Sequence, residues 1–353
     1  MPRLKFKSAD TLNMKRDYSV AIRTLGTAGE KYQKLLDSIK EQTIQPKHIF
    51  VHIAEGYELP KETIGVEEYI RTPKGMITQR SQPFDEIDTE YVLFCDDDLY
   101  LPPDYMEKMF EALENENGDC VAVNIYEESK MSKGQKLAIF LHSFITSRKD
   151  DGWGIKIKRN VSYSFNGNPS GKVLLTESAP GASYLCKKSV YQAIHFEDER
   201  WMENMSYAAG DDQLFYYKMH LMGYRVLMLQ NPGVIHLDAQ AGHRTTKSNK
   251  MYLQKKNMFI MWYRTIYNIR SKSAWEKCRC IAAFTWRCLF GILTLPLEVI
   301  HYKQPRFFID YFRGLWAGWK YVHSEEYKKI PSFDAYKYSH TESPEKHRNT
   351  SLI

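Results

Sequence analysis

Apolar positions along the chain switch between two spacings. Short runs such as YSVAIRT (18–24), KHIFVHIA (47–54), YVLFC (91–95) and CVAVNIY (120–126) have the β-branched and aromatic composition of strands. Between the first two, EKYQKLLDSIKEQT places Tyr32, Leu35, Leu36 and Ile39 at i, i+3, i+4 and i+7, one face of a helix. A second helical face, Met106, Met109, Phe110 and Leu113, follows Pro102 and Pro103, with Asn117-Gly118 as its stop. Strands separated by single helices predict an α/β fold with a Rossmann-like, mostly parallel sheet flanked by helices. Residues 130–180 are less regular: KLAIFLHSFITSRKDD reads as amphipathic, and WGIKIKRNVSYSFNGNPSGKVLLTES as one or two hairpins. Further on, GDDQLFYYKMHLMGYRVLML predicts a helix opened by Gly210 and two aspartates, closed by Gly223, and followed by a strand that leads to Pro232 and His236.

The strand YVLFC empties into Asp96, Asp97 and Asp98. In open α/β sheets ligands bind just beyond the carboxyl ends of the strands. Three neighbouring carboxylates repel one another unless a cation or a set of donors compensates. Oxygen ligands favour magnesium or manganese, which proteins hold with one or two carboxylates plus substrate phosphates. A divalent metal carrying a nucleotide diphosphate is therefore the chemical expectation, and a solvated acidic turn the plain alternative. Asp211 and Asp212 at a helix start also suit the helix macrodipole, a structural reason that competes with a chemical one.

Taken in order over residues 18–265, these elements resemble the GT-A glycosyltransferases, in particular family 2, the inverting nucleotide-sugar transferases. SVAIRTLG is similar to the family's first strand and nucleotide-binding turn, which implies Thr24 near the base or ribose. The second strand ends on Glu55, where the family generally has aspartate, and implies a contact to the base. PKGMITQRSQ resembles the stretch before the metal motif and implies Gly75 and Arg80 at the nucleotide, Arg80 on the diphosphate or base. FCDDDLYLPPD is similar to the D-x-D motif: the resemblance puts Asp96 at the ribose and metal, Asp98 at the metal, and Asp97 in the variable position of the nucleotide site. APGASYLCKKSVYQAIHFEDERW resembles the family's G-A strand and acidic turn. It implies Gly181 and Ala182 at the substrate, with Trp201 either stacking on a sugar ring or packed in the core. GDDQLFYYKMHL resembles the E-D-x-x-L helix, with Asp211 replacing the usual Glu and Lys218 where Arg is frequent. Asp212 then matches the general base, and Asp211 would raise its proton affinity and orient it. His236 matches a histidine that completes the metal or diphosphate site in family members, although a lone histidine after a strand also serves structure. His243 and Arg244 read as a loop over the diphosphate or as a solvated basic loop.

The resemblance implies an inverting, metal-dependent transfer of a sugar from a nucleotide-diphosphate donor, a UDP-sugar first among them, to a hydroxyl of a glycan or lipid-linked acceptor. Manganese or magnesium would be the cofactor, and bacterial polysaccharide biosynthesis the setting. The alternatives are a retaining transferase or nucleotidyltransferase on a similar sheet, and a catalytically inactive membrane-associated scaffold. TLGTAGEKY lacks the arginine and lysine signature of a nucleotidyltransferase loop. A degenerate scaffold would be expected to have lost either the D-x-D stretch or Asp212, and both are present.

Charge changes the picture only in the second half. The net charge of the 353 residues is +6, but residues 243–330 hold 17 lysines and arginines against 5 acids, so the basic tail and the acidic cluster lie apart. That tail is also rich in tryptophan, tyrosine and phenylalanine. Residues 281–300 reach the roughly 20 residues a bilayer span needs. Arg287, Pro296 and Glu298 lie inside them, however, and a central Arg costs about 3 kcal/mol on insertion scales. An interfacial helix pair on an anionic membrane surface is the expectation, with an amphipathic subdomain packed on the sheet as the alternative. No helix-turn-helix, RNP-like or zinc pattern accompanies the charge, so nucleic acid is not an expected partner. The six cysteines show no metal spacing, and the N-terminus lacks the apolar stretch of a signal peptide. A cytoplasmic protein, peripheral on the inner face of the cell membrane, is the resulting expectation. The chain divides into an N-terminal extension (1–17), a GT-A domain (18–265), a helical membrane-associating or packing region (266–338) and a flexible tail (339–353).

Overall fold

The computed structural model describes residues 15–125, 146–203, 210–237 and 247–333. Most of the expected N-terminal extension and of the amphipathic stretch after Lys136, the pair His243 and Arg244, and the expected tail lie outside the described residues.

Thirteen strands and nine helices follow in chain order among the described residues. Those that position the site are β1 (Tyr18–Thr24), α1 (Glu30–Lys40), β2 (Ile49–Ala54), β3 (Glu67–Thr72), α2 (Met76–Arg80), β4 (Tyr91–Asp96), β5 (Leu99–Tyr100), α3 (Tyr105–Glu116) and β6 (Cys120–Val123). After them come β7 (Thr146–Arg148), β8 (Ile155–Ile157), β9 (Tyr163–Asn166), β10 (Val173–Leu175), β11 (Ser183–Lys187), α4 (Lys188–Ala193), a 3₁₀ turn at Phe196–Met202, α5 (Asp211–Leu221), β12 (Val226–Leu229) and β13 (Ile235–His236).

The central sheet has the order β10-β12-β6-β11-β4-β1-β2-β3. Its pairings β1–β2, β1–β4, β2–β3 and β6–β12 are parallel, whereas β11 runs antiparallel between β4 and β6, and β10 antiparallel to β12. The mostly parallel sheet flanked by helices is thus present, with one reversed strand in its middle. That reversal brings the start of β11, Gly181 and Ala182, to the edge where β4 ends: the Asp96 amide donates to the Ala182 carbonyl at 2.9 Å.

Period-two alternation splits the core. Tyr91, Leu93 and Cys95 of β4 join Tyr18, Val20, Ile22 and the buried faces of α1 and α3 on one side. Val92 and Phe94 join Ala21, Phe50, Tyr184 and the α5 residues Phe215 and Tyr216 on the other. The α1 face Tyr32, Leu35, Leu36, Ile39 is buried as its spacing predicts, and α3 ends at Asn117 in the left-handed conformation (φ 49°). The 155–178 stretch contains the β8–β9 hairpin, while β10 joins the main sheet as its edge. β3 is a strand the pattern does not predict. It is the polar edge EEYIRT, whose Glu68 and Arg71 face water.

Beyond β13 the chain forms α6 (Lys247–Met261), which continues as a π-helix through Trp262–Arg270. It therefore passes residue 265, where the sequence suggests a boundary, in mid-helix. Helices α7 (Ala274–Tyr302), α8 (Phe307–Val322) and α9 (Glu325–Lys328) complete the described chain. Ser273 and Glu276 form a capping box that starts α7. All six cysteines are free.

Candidate active site

Strand ends and helix starts converge on one edge of the sheet. At the end of β1, Arg23 Nη2 lies 2.8 Å from Asp96 Oδ1. The next residue, Thr24, donates its hydroxyl to Asp97 and accepts from the Gly26 amide at 2.8 Å. Burial pushes the Asp97 carboxyl up to about 6, with Asp96 and Asp98 adding to the effect and the Thr24 bond opposing it. Asp97 is thus turned into the protein on Thr24, and its neighbours face elsewhere.

Asp98 meets His236 across 138 residues of sequence. The two-stranded ladder of β5 and β13 pairs Leu99 with His236, and the Leu237 amide donates to the Asp98 carbonyl at 2.7 Å. This register leaves His236 Nε2 3.4 Å from Asp98 Oδ1, the histidine half-exposed and the aspartate nearly buried. A carboxylate oxygen and an imidazole nitrogen at one strand end are a donor pair suited to manganese or magnesium. Among the described residues no three His, Cys, Asp or Glu side chains cluster closely enough to hold an ion by themselves. The residues therefore fit a metal whose remaining ligands come from substrate phosphates and water.

The second acidic pair opens α5. Gly210, at φ 88°, lets the chain turn into the helix, and Asp211 and Asp212 fill its first turn. Both reach Arg80 at the end of α2: Arg80 Nη1 lies 3.0 Å from Asp211 Oδ2 and ion-pairs with Asp212 Oδ1. The Arg80 and Asp211 side chains are 6% and 12% exposed, whereas Asp212 is 41% exposed, so only Asp212 presents an oxygen to solvent. Burial, then repulsion from Asp212, pushes the Asp211 carboxyl up to about 6 against the pull of Arg80. Gly181 leaves room for this pair, because a Cβ on it would stand 1.9 Å from Asp212 Oδ1 and 2.7 Å from Arg80 Nη2. The guanidinium is fixed from behind: Tyr191 donates its hydroxyl to the Arg80 carbonyl, and Phe215 lies under the guanidinium at 5.8 Å. Asp96 lies within electrostatic range of Arg80, Asp212 and Asp98, so the two acidic groups belong to one site.

Several expected roles meet different neighbours. Trp201, expected at the sugar or in the core, is 8% exposed and donates its indole N–H to Glu199 Oε2 at 2.7 Å; it is a core residue. Gly75 faces Glu203 instead of an open helix end. The Glu203 carboxylate accepts from the Ile77 and Thr78 amides at 3.0 and 3.2 Å and from the Thr78 hydroxyl at 2.6 Å, so α2 has its N-terminal donors occupied. A Cβ at Gly75 would meet that carboxylate at 2.0 Å. Arg80, expected on the diphosphate or base, is engaged by Asp211 and Asp212. Glu55 is exposed just past the end of β2. Lys218 is fully buried and pairs with Glu199 at 2.9 Å.

Sequence reasoning overlooks Arg23, Glu203 and the buried cluster around Glu199. Arg23 carries a faint signal, a charge inside an apolar strand directly before Thr24. Glu199 has none, because its partners Lys218 and Arg264 are distant in sequence. Arg264 approaches both its oxygens, at 2.9 to 3.2 Å. Burial alone would raise the Glu199 carboxyl, but Lys218 and Arg264 overcome it and hold the group down at about 2.

Comparison with known proteins adds the following. Residues 30–168 match the profile of "Glycosyl transferase family 2". No curated protein matches the sequence. Among solved structures, the chain is similar to S. aureus TarS 1–349 in complex with UDP-GlcNAc, at 12% identity and a TM-score of 0.47 over 91% of this chain and 89% of that one. It is also similar to GalNAc-T7 with UDP, GalNAc and Mn²⁺, at 11% identity and a TM-score of 0.46 over 78% of this chain and 55% of that one.

Proposed function

We propose, from the premise that residues 30–168 form a glycosyl transferase family 2 domain on a GT-A sheet and that the chain is a glycosyltransferase, that it moves a sugar with inversion from a nucleotide-diphosphate donor, a UDP-sugar, to a hydroxyl of a glycan or lipid-linked acceptor. One observation carries this reading: the strand-end acids Asp96–Asp98 and the helix-end acids Asp211–Asp212 arrive at the same sheet edge, with Asp96 in range of both Arg80 and Asp212.

Asp98 and His236 are the residues that would hold a divalent ion, manganese or magnesium, with Asp96 beside them. When bound, such an ion neutralises charge on a leaving diphosphate. Thr24 and Arg23 order the nucleotide end of the site by fixing Asp97 and Asp96. Inverting transfer needs a base on the face opposite the leaving group. Asp212 suits that role, because Arg80 and Gly181 fix its orientation and its exposure leaves an oxygen for an acceptor hydroxyl. Asp211 lies behind it, its carboxyl pushed up by burial and by the Asp212 charge.

The reading is tested by incubating the purified chain with a panel of UDP-sugars and manganese. Release of UDP together with an NMR signal from the inverted anomer is expected, with water as acceptor where no other is supplied. A product of retained configuration would overturn the inverting assignment, and consumption of the nucleotide without sugar release would overturn the transfer itself.

A further inference from the structure

Helices α7 and α8 each have one face packed on the catalytic domain and one bare face. The packed side of α7 runs most of its length. Cys280 meets the Ser271 hydroxyl at 3.1 Å, Phe284 stacks on Trp262 at 4.3 Å, Arg287 donates to the Asn160 carbonyl at 2.7 Å, Gly291 gives room to Tyr311, and Leu295 packs with Met251. These contacts extend over about 22 Å of helix at 1.5 Å per residue. On α8, Gly314 and Gly318 bring the helix against α6, where added Cβ atoms would stand 2.5 Å from the Tyr252 carbonyl oxygen and 2.7 Å from Phe259 Cβ.

The opposite side of α7 presents Ile281, Trp286, Leu289, Leu293, Leu297 and Ile300, each between 45% and 73% exposed. At 100° per residue all but Ile281 fall on one stripe, diametrically across from Cys280, Phe284, Gly291 and Leu295, and Ile281 lies to its side. Only 22% of the most apolar 18 residues within Ala274–Ile300 is buried. Trp275 and Tyr302, both exposed, stand at its two ends. On α8 the exposed row is Phe308, Ile309, Phe312, Trp316 and Trp319, and Arg306, Arg313 and Lys320 run beside it at seven-residue spacing. An apolar patch of this extent on a folded protein marks an interaction surface.

We propose that the outer faces of α7 and α8 form a docking surface for an anionic lipid bilayer, on which both helices lie in the interface without crossing it. Three features decide the occupant and the orientation. A helix fixed to the domain along four turns cannot leave it to span a membrane. The basic row on α8 and the aromatic ends of α7 match the headgroup layer, where Trp and Tyr settle and Lys and Arg meet lipid phosphate. A second copy of this chain would instead set the same basic row against itself. The acids of these two helices do not relieve that repulsion: Glu276 caps α7, Glu298 is half-buried, and Asp310 is buried against Arg306 and Arg313 at 3.5 and 3.6 Å.

The test is sedimentation of the purified chain with phosphatidylcholine vesicles, with and without phosphatidylglycerol, followed by an alkaline carbonate wash. Binding to the anionic vesicles, its weakening by salt, and release by the wash are expected. Arg313→Glu/Lys320→Glu and, separately, Leu289→Ser/Leu293→Ser/Leu297→Ser should each weaken binding about tenfold or more. The melting temperature of the leucine variant should not change, since its three side chains are exposed, whereas Arg313 also pairs with the buried Asp310; two independent variants keep the test intact if one fails to fold. Absence of binding to either vesicle overturns the proposal. Retention through the wash overturns the interfacial orientation in favour of a span. A dimer in solution that the leucine variant dissolves, without vesicle binding, assigns the face to a second copy.

Discussion

At the start of α5 two carboxylates, Asp211 and Asp212, share one guanidinium, Arg80. Two turns further along the same helix the ratio is reversed: one carboxylate, Glu199, is held by two cations, Lys218 and Arg264, with the Trp201 indole as a further donor. The first cluster has a surplus of negative charge and opens to solvent through Asp212; the second sets Glu199 between two cations, with Asp198 3.8 Å from Lys218, and is closed, Glu199 being fully buried. Burial acts on both in the same sense, so the difference between Asp211 at about 6 and Glu199 at about 2 comes from their nearest charges, a second acid beside Asp211 and two cations on Glu199. The first arrangement keeps an acid poised to exchange a proton. The second locks one as an anion, and through it fastens α5 to the 3₁₀ turn, the π-helix and Pro331.

Breaking the two clusters should therefore have unlike consequences. Asp212→Asn should lower nucleotide release from the sugar donor by about 10²- to 10⁴-fold, the range of general-base contributions, with little change in melting temperature. An unchanged rate would remove Asp212 from the chemistry. Glu199→Ala leaves two buried cations without their acid and should cost about 3–5 kcal/mol of stability, read by denaturant titration. A cost well under 1 kcal/mol would show that the closed cluster does not hold the helix.

Acidity separates them again. Asp211 has its folded value raised to about 6 from 3.8, so its ionisation burdens the fold fully above pH 6, and that burden lifts as pH falls through this window. Glu199 has its value lowered to about 2 from 4.5, so its stabilisation is complete above pH 4.5 and is lost as pH falls from there toward 2. Between pH 6 and 4.5 the transfer rate should drop about tenfold per unit as Asp211 takes up a proton. Over the same interval these two groups together leave the fold no less stable. Paired rate and melting curves check this, and a rate that tracks the melting curve would tie the loss to unfolding. The smallest effect concerns Trp201→Phe, which removes one donor from Glu199 and should cost about 1.5–3 kcal/mol with donor KM unchanged. A raised KM at normal stability would return Trp201 to the sugar site.

Where the fold rests on local periodicity, the sequence was readable. The buried face of α1, the stop of α3 at Asn117, the strands β1, β2, β4 and β6, and the strand-end position of Asp96–Asp98 all follow from spacing and turn chemistry. His236 was legible only through the resemblance, since its approach to Asp98 depends on a two-residue ladder between distant segments. β3 was hidden because an edge strand with one wet face carries no apolar run. The reversal of β11 was hidden because strand direction leaves no trace in composition. The partners of Arg80, Gly75 and Trp201 were hidden for a common reason: each is a charged or polar group brought in from more than a hundred residues away or buried against type. Asp212, Glu203 and Glu199 look, in sequence, like ordinary solvated acids.

The central claim is that the edge at Asp98 and His236 receives a nucleotide diphosphate together with a divalent ion. Thermal-shift measurements with UDP, dTDP, GDP and CDP, each with and without manganese, on the wild-type chain and on Asp98→Asn, test it most directly. The account predicts stabilisation by UDP that requires manganese and disappears in Asp98→Asn, with Glu199 and the rest of the fold undisturbed. Equal stabilisation of both proteins, or none by any diphosphate, would contradict it.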